Sequence, residues 1–183
     1  MAVSSLNSQS TGLIVVDAQE KLLGVMRRRQ TIVDNIVRLL RLADHHELPV
    51  IATQQYRKMM GPIVGGIASL IPVQEITDKM DFDCCAVGDF NDRLRAMGKK
   101  TVILVGVETH ICILQTCVSL LAAGYEVHVP QDAVDSRTKE NWHVGIALMK
   151  EAGAVVSSTE TLIFQVLRKA GTSEFKDMLR IVK

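Results

Sequence analysis

Three residues that could share one proton recur at comparable points along the chain: Asp17, Lys79 and Cys112. Cys112 follows Thr101–Val105 (TVILV), a β-branched, apolar run short enough for a strand buried on both faces. Gly106 ends the run. Thr109 is a favourable helix N-cap, and Ile111–Ala123 behind it is apolar and long enough for a helix. Cys112 thus falls in the first turn of a helix fed directly by a strand. Main-chain N–H groups and the positive helix end there favour a thiolate, the form of cysteine that attacks. Asp17 closes the run Gly12–Asp17, and Lys79 lies near the end of another extended segment. A carboxylate, an ammonium and a thiol supply a base, a counter-charge and a nucleophile. Taken singly, each has an ordinary reading: a packed cysteine, a capping aspartate, a lysine in a surface ion pair.

The elements that must bring them together follow from the hydrophobic pattern. Gly12–Asp17 is a first buried strand, and Gln30–His46 a helix with Ile32, Ile36, Leu39, Leu40 and Ala43 on one side. Pro49 leads into a second strand, Val50–Thr53, and Gln54–Pro72 reads as a long irregular segment. Val73–Lys79 is extended, Val87–Met97 helical and closed by Gly98, and Thr101–Val105 the fourth strand. Its helix, from about His110 to Ala123, is capped by Gly124. Tyr125–Val129 is the fifth strand, Arg137–Glu151 a helix capped by Ser136 or Thr138, and Ala154–Ser157 the sixth strand. Glu160–Lys183 forms two short helices broken at Gly171. Strands alternating with helices predict an α/β chain with a parallel sheet and right-handed crossovers, a single three-layer domain over residues 1–183. Sites in such sheets lie at the carboxyl ends of strands, where Asp17, Lys79 and Cys112 all fall.

Composition narrows the function. The chain has 183 residues, 48% hydrophobic and 22% charged, which is globular rather than disordered. No apolar run reaches the length of a membrane span, so no membrane partner is expected. The first ten residues carry neither a basic start nor an apolar core, and read as a loose tail on a cytoplasmic protein. A net charge of +1 offers no general field for nucleic acid, and Arg27–Arg29 is the only basic cluster. The four cysteines, Cys84, Cys85, Cys112 and Cys117, form no CxxC pair and no zinc-binding spacing. The helix after Cys112 is apolar nearly all round, with Ile111, Ile113, Leu114, Cys117, Val118, Leu120 and Leu121, and so is expected to pack against a second subunit in a homo-oligomer.

Asp17, Lys79 and Cys112, in that order, resemble the catalytic triad of the isochorismatase-like cysteine hydrolase superfamily, which includes nicotinamidase and N-carbamoylsarcosine amidase. The likeness runs from about Gly12 to Ser158. It rests on LIVVDAQ with Asp17 and Gln19, on Lys79-x-x-Phe82, on GVETHIC with Cys112, and on DAVDSR at Asp132–Arg137. The resemblance implies a six-stranded sheet ordered 3-2-1-4-5-6 and Cys112 as nucleophile. It implies a cis peptide between Val107 and Glu108, with the backbone N–H groups of Glu108 and Cys112 forming an oxyanion hole. Asp17 would take the thiol proton while Lys79 stabilises the thiolate; attack on a carbonyl would expel an amine, and water would hydrolyse the thioester.

Two departures narrow the reading. The nicotinamidase branch carries a D-x-H metal motif after its second strand, where this chain has Thr53-Gln54-Gln55-Tyr56-Arg57-Lys58, so neither metal nor any other cofactor is expected. Isochorismatases that cleave a vinyl ether often lack the cysteine, so its presence leans toward amide chemistry on a small molecule. The likeness is greatest to the small isochorismatase-domain hydrolases, which define no substrate. By position, Gln19, Gln54, Tyr56 and Phe82 are candidates for lining the substrate site. Glu108 would raise the thiol pKa unless a cation compensates it. His110 is near the site by sequence, whereas His128 and His143 read as structural or exposed. The competing readings are a silent scaffold protein, a thiol-redox protein pairing Cys112 with Cys84 or Cys85, and a nucleotide-binding domain; the last lacks G-x-G-x-x-G after its first strand.

Overall fold

Apolar runs with both side-chain parities hydrophobic make strands that must be covered on two faces. Thr11–Val16 (β1) is such a run and every residue in it is buried. A computed structural model describes residues 6–182. After β1 come α1 (Glu20–Gly24), α2 (Arg29–His45), β2 (Val50–Gln55), α3 (Arg57–Met60), α4 (Gly65–Ala68) and β3 (Ile76–Lys79). They are followed by α5 (Gly88–Met97), β4 (Thr101–Val107), a π-helical turn at Thr109–Ile113 and α6 (Leu114–Ala122). The chain continues through β5 (Glu126–Pro130), β6 (Val134–Asp135), α7 (Lys139–Glu151), β7 (Val155–Ser157), α8 (Thr159–Leu167) and α9 (Ser173–Val182).

The strands lie parallel in the order β3-β2-β1-β4-β5-β7, with β6 paired to β4. This is the expected order, Val155–Ser157 standing where the sixth strand was predicted. The extra strand is two residues long, too short to leave a periodic signal. It pairs Val134 with Gly106 and Asp135 with Val107, beyond the point where β5 leaves β4. Leu13 and Val15 of β1 face one layer, with Ile32, Ile36 and Leu39 of α2 and Leu162 and Ile163 of α8. Ile14 and Val16 face the other, with Phe90 and Leu94 of α5, Cys117 and Leu120 of α6, and Met149 of α7.

Four local expectations change. The first is the loose tail: Leu6 is buried in the core and Ser8–Ser10 forms a 3-10 turn, while residues 1–5 lie outside the described residues. Second, the segment after β2 contains α3 and α4 rather than irregular chain. Third, β4 runs two residues past Val105. Gly106 continues it with φ 121°, where a Cβ would stand 1.9 Å from the Val16 carbonyl oxygen, so glycine is required for β4 to lie against β1. Fourth, Thr109 does not cap the following helix; it is buried and its hydroxyl has no hydrogen-bond partner among the described residues.

Candidate functional site

Parallel neighbours end at the same edge of a sheet, so residues at or just past the ends of β1, β3 and β4 converge even though the chain separates them widely. Asp17 turns away from β1 with φ 51°, a left-handed conformation that aspartate tolerates better than most residues. Its Oδ2 lies 2.7 Å from Lys79 Nζ, and both side chains are wholly buried. Lys79 Nζ is 3.7 Å from Cys112 Sγ. The structure brings the three residues together.

The surroundings of Cys112 do not favour the thiolate expected from the helix end. Burial raises the thiol pKa, and the neighbouring Asp17 charge adds to it; Lys79 opposes both without overcoming them. The helix end was expected to favour the anion, but at a sulfur almost out of solvent desolvation and a carboxylate outweigh it. Lys79 behaves differently: burial works to lower its pKa, yet Asp17, with smaller contributions from Cys84 and Cys112, leaves it raised, so the ammonium keeps its proton.

The end of β2 supplies groups that the sequence pattern did not single out. Side chains alternate along a strand. Thr53 therefore faces the cluster, its hydroxyl donating to Asp17 Oδ1 at 2.8 Å, and Gln55 does so again, its Oε1 accepting from Lys79 Nζ at 2.6 Å. Gln54, expected to line the substrate site, faces the other way and its amide meets Asp78 Oδ1 at 3.3 Å. Gln19 is also placed differently. Its Nε2 donates to the carbonyls of Gln55 and Gly61, and its Oε1 accepts from the Gln55 N–H, so the whole amide is taken up by backbone. Tyr56 and Phe82, next to Gln55 and Asp81, are exposed. Lys79 Nζ also donates to the Asp81 carbonyl at 3.1 Å.

Cys84 is a second thiol at this site. Fully buried, its sulfur is 3.8 Å from Thr53 Oγ1, and burial pushes its pKa up to about 11. Its N–H donates to Thr116 Oγ1, while Asp83 accepts from the Ser119 hydroxyl, so the loop after β3 is tied to α6.

The segment before Cys112 is braced from β6 and α7. The peptide between Val107 and Glu108 is cis. The Glu108 carboxylate accepts from the Arg137 N–H and Nε, which supplies the compensating cation. His110 Nδ1 lies 2.9 Å from Ser136 Oγ. A Cβ on Gly145 would come within 2.9 Å of the Thr109 carbonyl, so α7 packs directly on this turn. His128 is buried against Glu126, away from the cluster. Among the described residues no group of three or more His, Cys, Asp or Glu side chains is arranged to hold a metal ion. No described helix is long and apolar enough to cross a membrane.

The isochorismatase domain model matches residues 11–161. The chain belongs to the isochorismatase-like hydrolase family. The secreted isochorismatase effector Isc1 of Phytophthora sojae is 35% identical over 95% of this chain and 85% of its own. The structure of the MAR1 ribonuclease from Caenorhabditis elegans superposes with a TM-score of 0.91 at 32% identity, over 98% of this chain and 92% of that one. The YcaC gene product of Escherichia coli, described as an octameric hydrolase of unknown specificity, shares the fold with a TM-score of 0.93 at 22% identity, over 99% and 92% of the two chains.

Proposed function

We propose that this family hydrolase uses Cys112 as a nucleophile to cleave a C–N bond of a small amide or ureido substrate through a thioester. The observation that carries the reading is the buried contact chain from Asp17 through Lys79 to Cys112. Asp17 accepts the thiol proton as sulfur attacks the carbonyl carbon, and the tetrahedral oxyanion is held by the N–H groups of Glu108 and Cys112. Collapse breaks the C–N bond, and Asp17 returns the proton to the departing nitrogen. Water, deprotonated by Asp17, then displaces the thiolate, which regains its proton as the acid leaves. A thiol held neutral beside a carboxylate suits this order, because the charge is created only when substrate is present.

The test is a panel of small amides and ureido compounds with the purified protein. Turnover with accumulation of an acyl adduct on Cys112, seen by intact mass and absent in Cys112→Ala, is the expected result. Turnover that survives Cys112→Ala would exclude the thioester route.

A small-molecule substrate, rather than nucleic acid, is supported by the fate of the basic cluster. Arg27 and Arg28 both pair with the buried Asp135, and Arg28 lies over the Trp142 ring, so these cations serve the fold. We further propose a homo-oligomer joined through α6 and α7. Val118 on α6 and Val144 and Leu148 on α7 are exposed, and the two helices pack on each other. Sedimentation of wild type and Val118→Asp tests this; a wild-type monomer at low micromolar concentration would exclude it. Four free cysteines support a reducing compartment such as the cytoplasm.

A further inference from the structure

An ammonium has three hydrogens, but four groups surround Lys79 Nζ. Asp17 Oδ2 is at 2.7 Å, Gln55 Oε1 at 2.6 Å, the Asp81 carbonyl at 3.1 Å and Cys112 Sγ at 3.7 Å. Gln55, the Asp81 carbonyl and, at the longest distance, the sulfur take the three hydrogens, while Asp17 Oδ2 meets the ammonium as its ion-pair partner. Gln55 stands as close as the carboxylate does, and its orientation is fixed on every side. Its Nε2 donates to the Met80 carbonyl at 2.8 Å, which turns Oε1 toward Lys79. Its N–H and carbonyl are both bonded to the Gln19 amide, at 2.7 and 3.0 Å.

We propose that Gln55 is a positioning residue for Lys79, clamped by Gln19, and that it draws the ammonium back from Cys112 so that the Lys79–sulfur contact stays long at rest. The proposal rests on the reading of Cys112 as the nucleophile. Its neutral charge is as important as its reach. A carboxylate at this position would add a negative charge beside the sulfur and disfavour the thiolate. An apolar side chain would free the Lys79 hydrogen now held by Gln55 and let the ammonium close on the sulfur, which favours the thiolate. The two substitutions should act with opposite sign, which loss of packing alone does not produce.

The experiment is the pH dependence of iodoacetamide labelling at Cys112, followed by peptide mass spectrometry on the full chain, with thermal unfolding to establish folding. Gln55→Glu should move the labelling profile to higher pH and Gln55→Met to lower pH, each by roughly half a unit or more. In a Lys79→Ala background the Gln55→Met shift should vanish. Gln55→Asn, which keeps the amide but withdraws it by one methylene, should shift as Gln55→Met does and replaces it if that variant does not fold. Profiles that superimpose on wild type in folded variants, or that move in the same direction, would overturn the proposal. Labelling needs no substrate, so this result stands apart from the turnover test: hydrolysis surviving Cys112→Ala removes the nucleophile reading without altering what labelling says of Gln55.

Discussion

Asp17 and Lys79 form an ion pair with no solvent contact on either side chain, their charged atoms 2.7 Å apart. Burying both charges costs several kcal/mol per ion before their attraction is counted, so each depends on the other.

Removing one partner should therefore be felt in stability as well as in rate. Asp17→Asn leaves the Lys79 ammonium buried without its counter-charge and is expected to cost about 3–5 kcal/mol in urea unfolding. Hydrolysis should fall by about 10²–10⁴-fold with loss of the base. A folded Asp17→Asn with unchanged unfolding midpoint would mean that the pair contributes nothing to the fold.

Thr53 should act on the rate through Asp17. Thr53→Val keeps the shape and removes the hydroxyl that donates to Asp17 Oδ1 at 2.8 Å. A hydrogen bond to a charged group contributes about 1.5–3 kcal/mol, so kcat should drop roughly ten- to a hundredfold with little change in KM. An unchanged kcat would show that Asp17 is held well enough by Lys79.

Stability should decline in alkaline solution, and the sign follows from the raised thiols. Burial pushes Cys117 from its ordinary 9.0 up to about 12. The folded state thus holds a proton that the unfolded state gives up; the stabilisation is complete below pH 9.0 and is lost as pH rises toward 12. Cys117→Ala should flatten the fall in urea midpoint above pH 9.0, by up to about 1.4 kcal/mol per pH unit. Parallel slopes for variant and wild type would contradict the assignment.

Glycine at 106 should be irreplaceable. Gly106→Ala puts a Cβ 1.9 Å from the Val16 carbonyl oxygen in a backbone conformation with φ 121°. A loss of about 4 kcal/mol or more, or failure to fold, is expected. Gly24→Ala, whose Cβ would meet nothing within 4 Å, is the control and should be close to neutral in thermal unfolding.

How far the sequence reveals this molecule depends on the size of the signal. Strands covered on both faces read as unbroken apolar runs, which is why β1 and β4 and the order of the sheet were legible. The meeting of Asp17, Lys79 and Cys112 was legible from strand ends and from family motifs. Gln55 was not, because the second strand was expected to stop at Thr53; carrying its alternation two residues further would have put Gln55 on the site face and Gln54 off it. The upward push on the Cys112 thiol was not legible, because a helix end is visible in sequence whereas the depth of a sulfur is not. Leu6 was read as tail because a single apolar residue has no period. The pairing of Val134 and Asp135 with Gly106 and Val107 is a tertiary event without a local signature.

The central place of β1 in the sheet has a consequence for how the protein acquires its chemistry. Asp17 is made first, yet the strands on either side of it, β2 and β4, and the turn that carries Cys112 arrive much later in synthesis. Parallel pairing of this kind joins distant parts of the chain and is slow to assemble. Until β4 docks, one apolar edge of β1 stays open beside Asp17. Burial of the Cys112 thiol requires β4 to be docked beside β1, so its accessibility to alkylation during refolding would time the closing of the sheet.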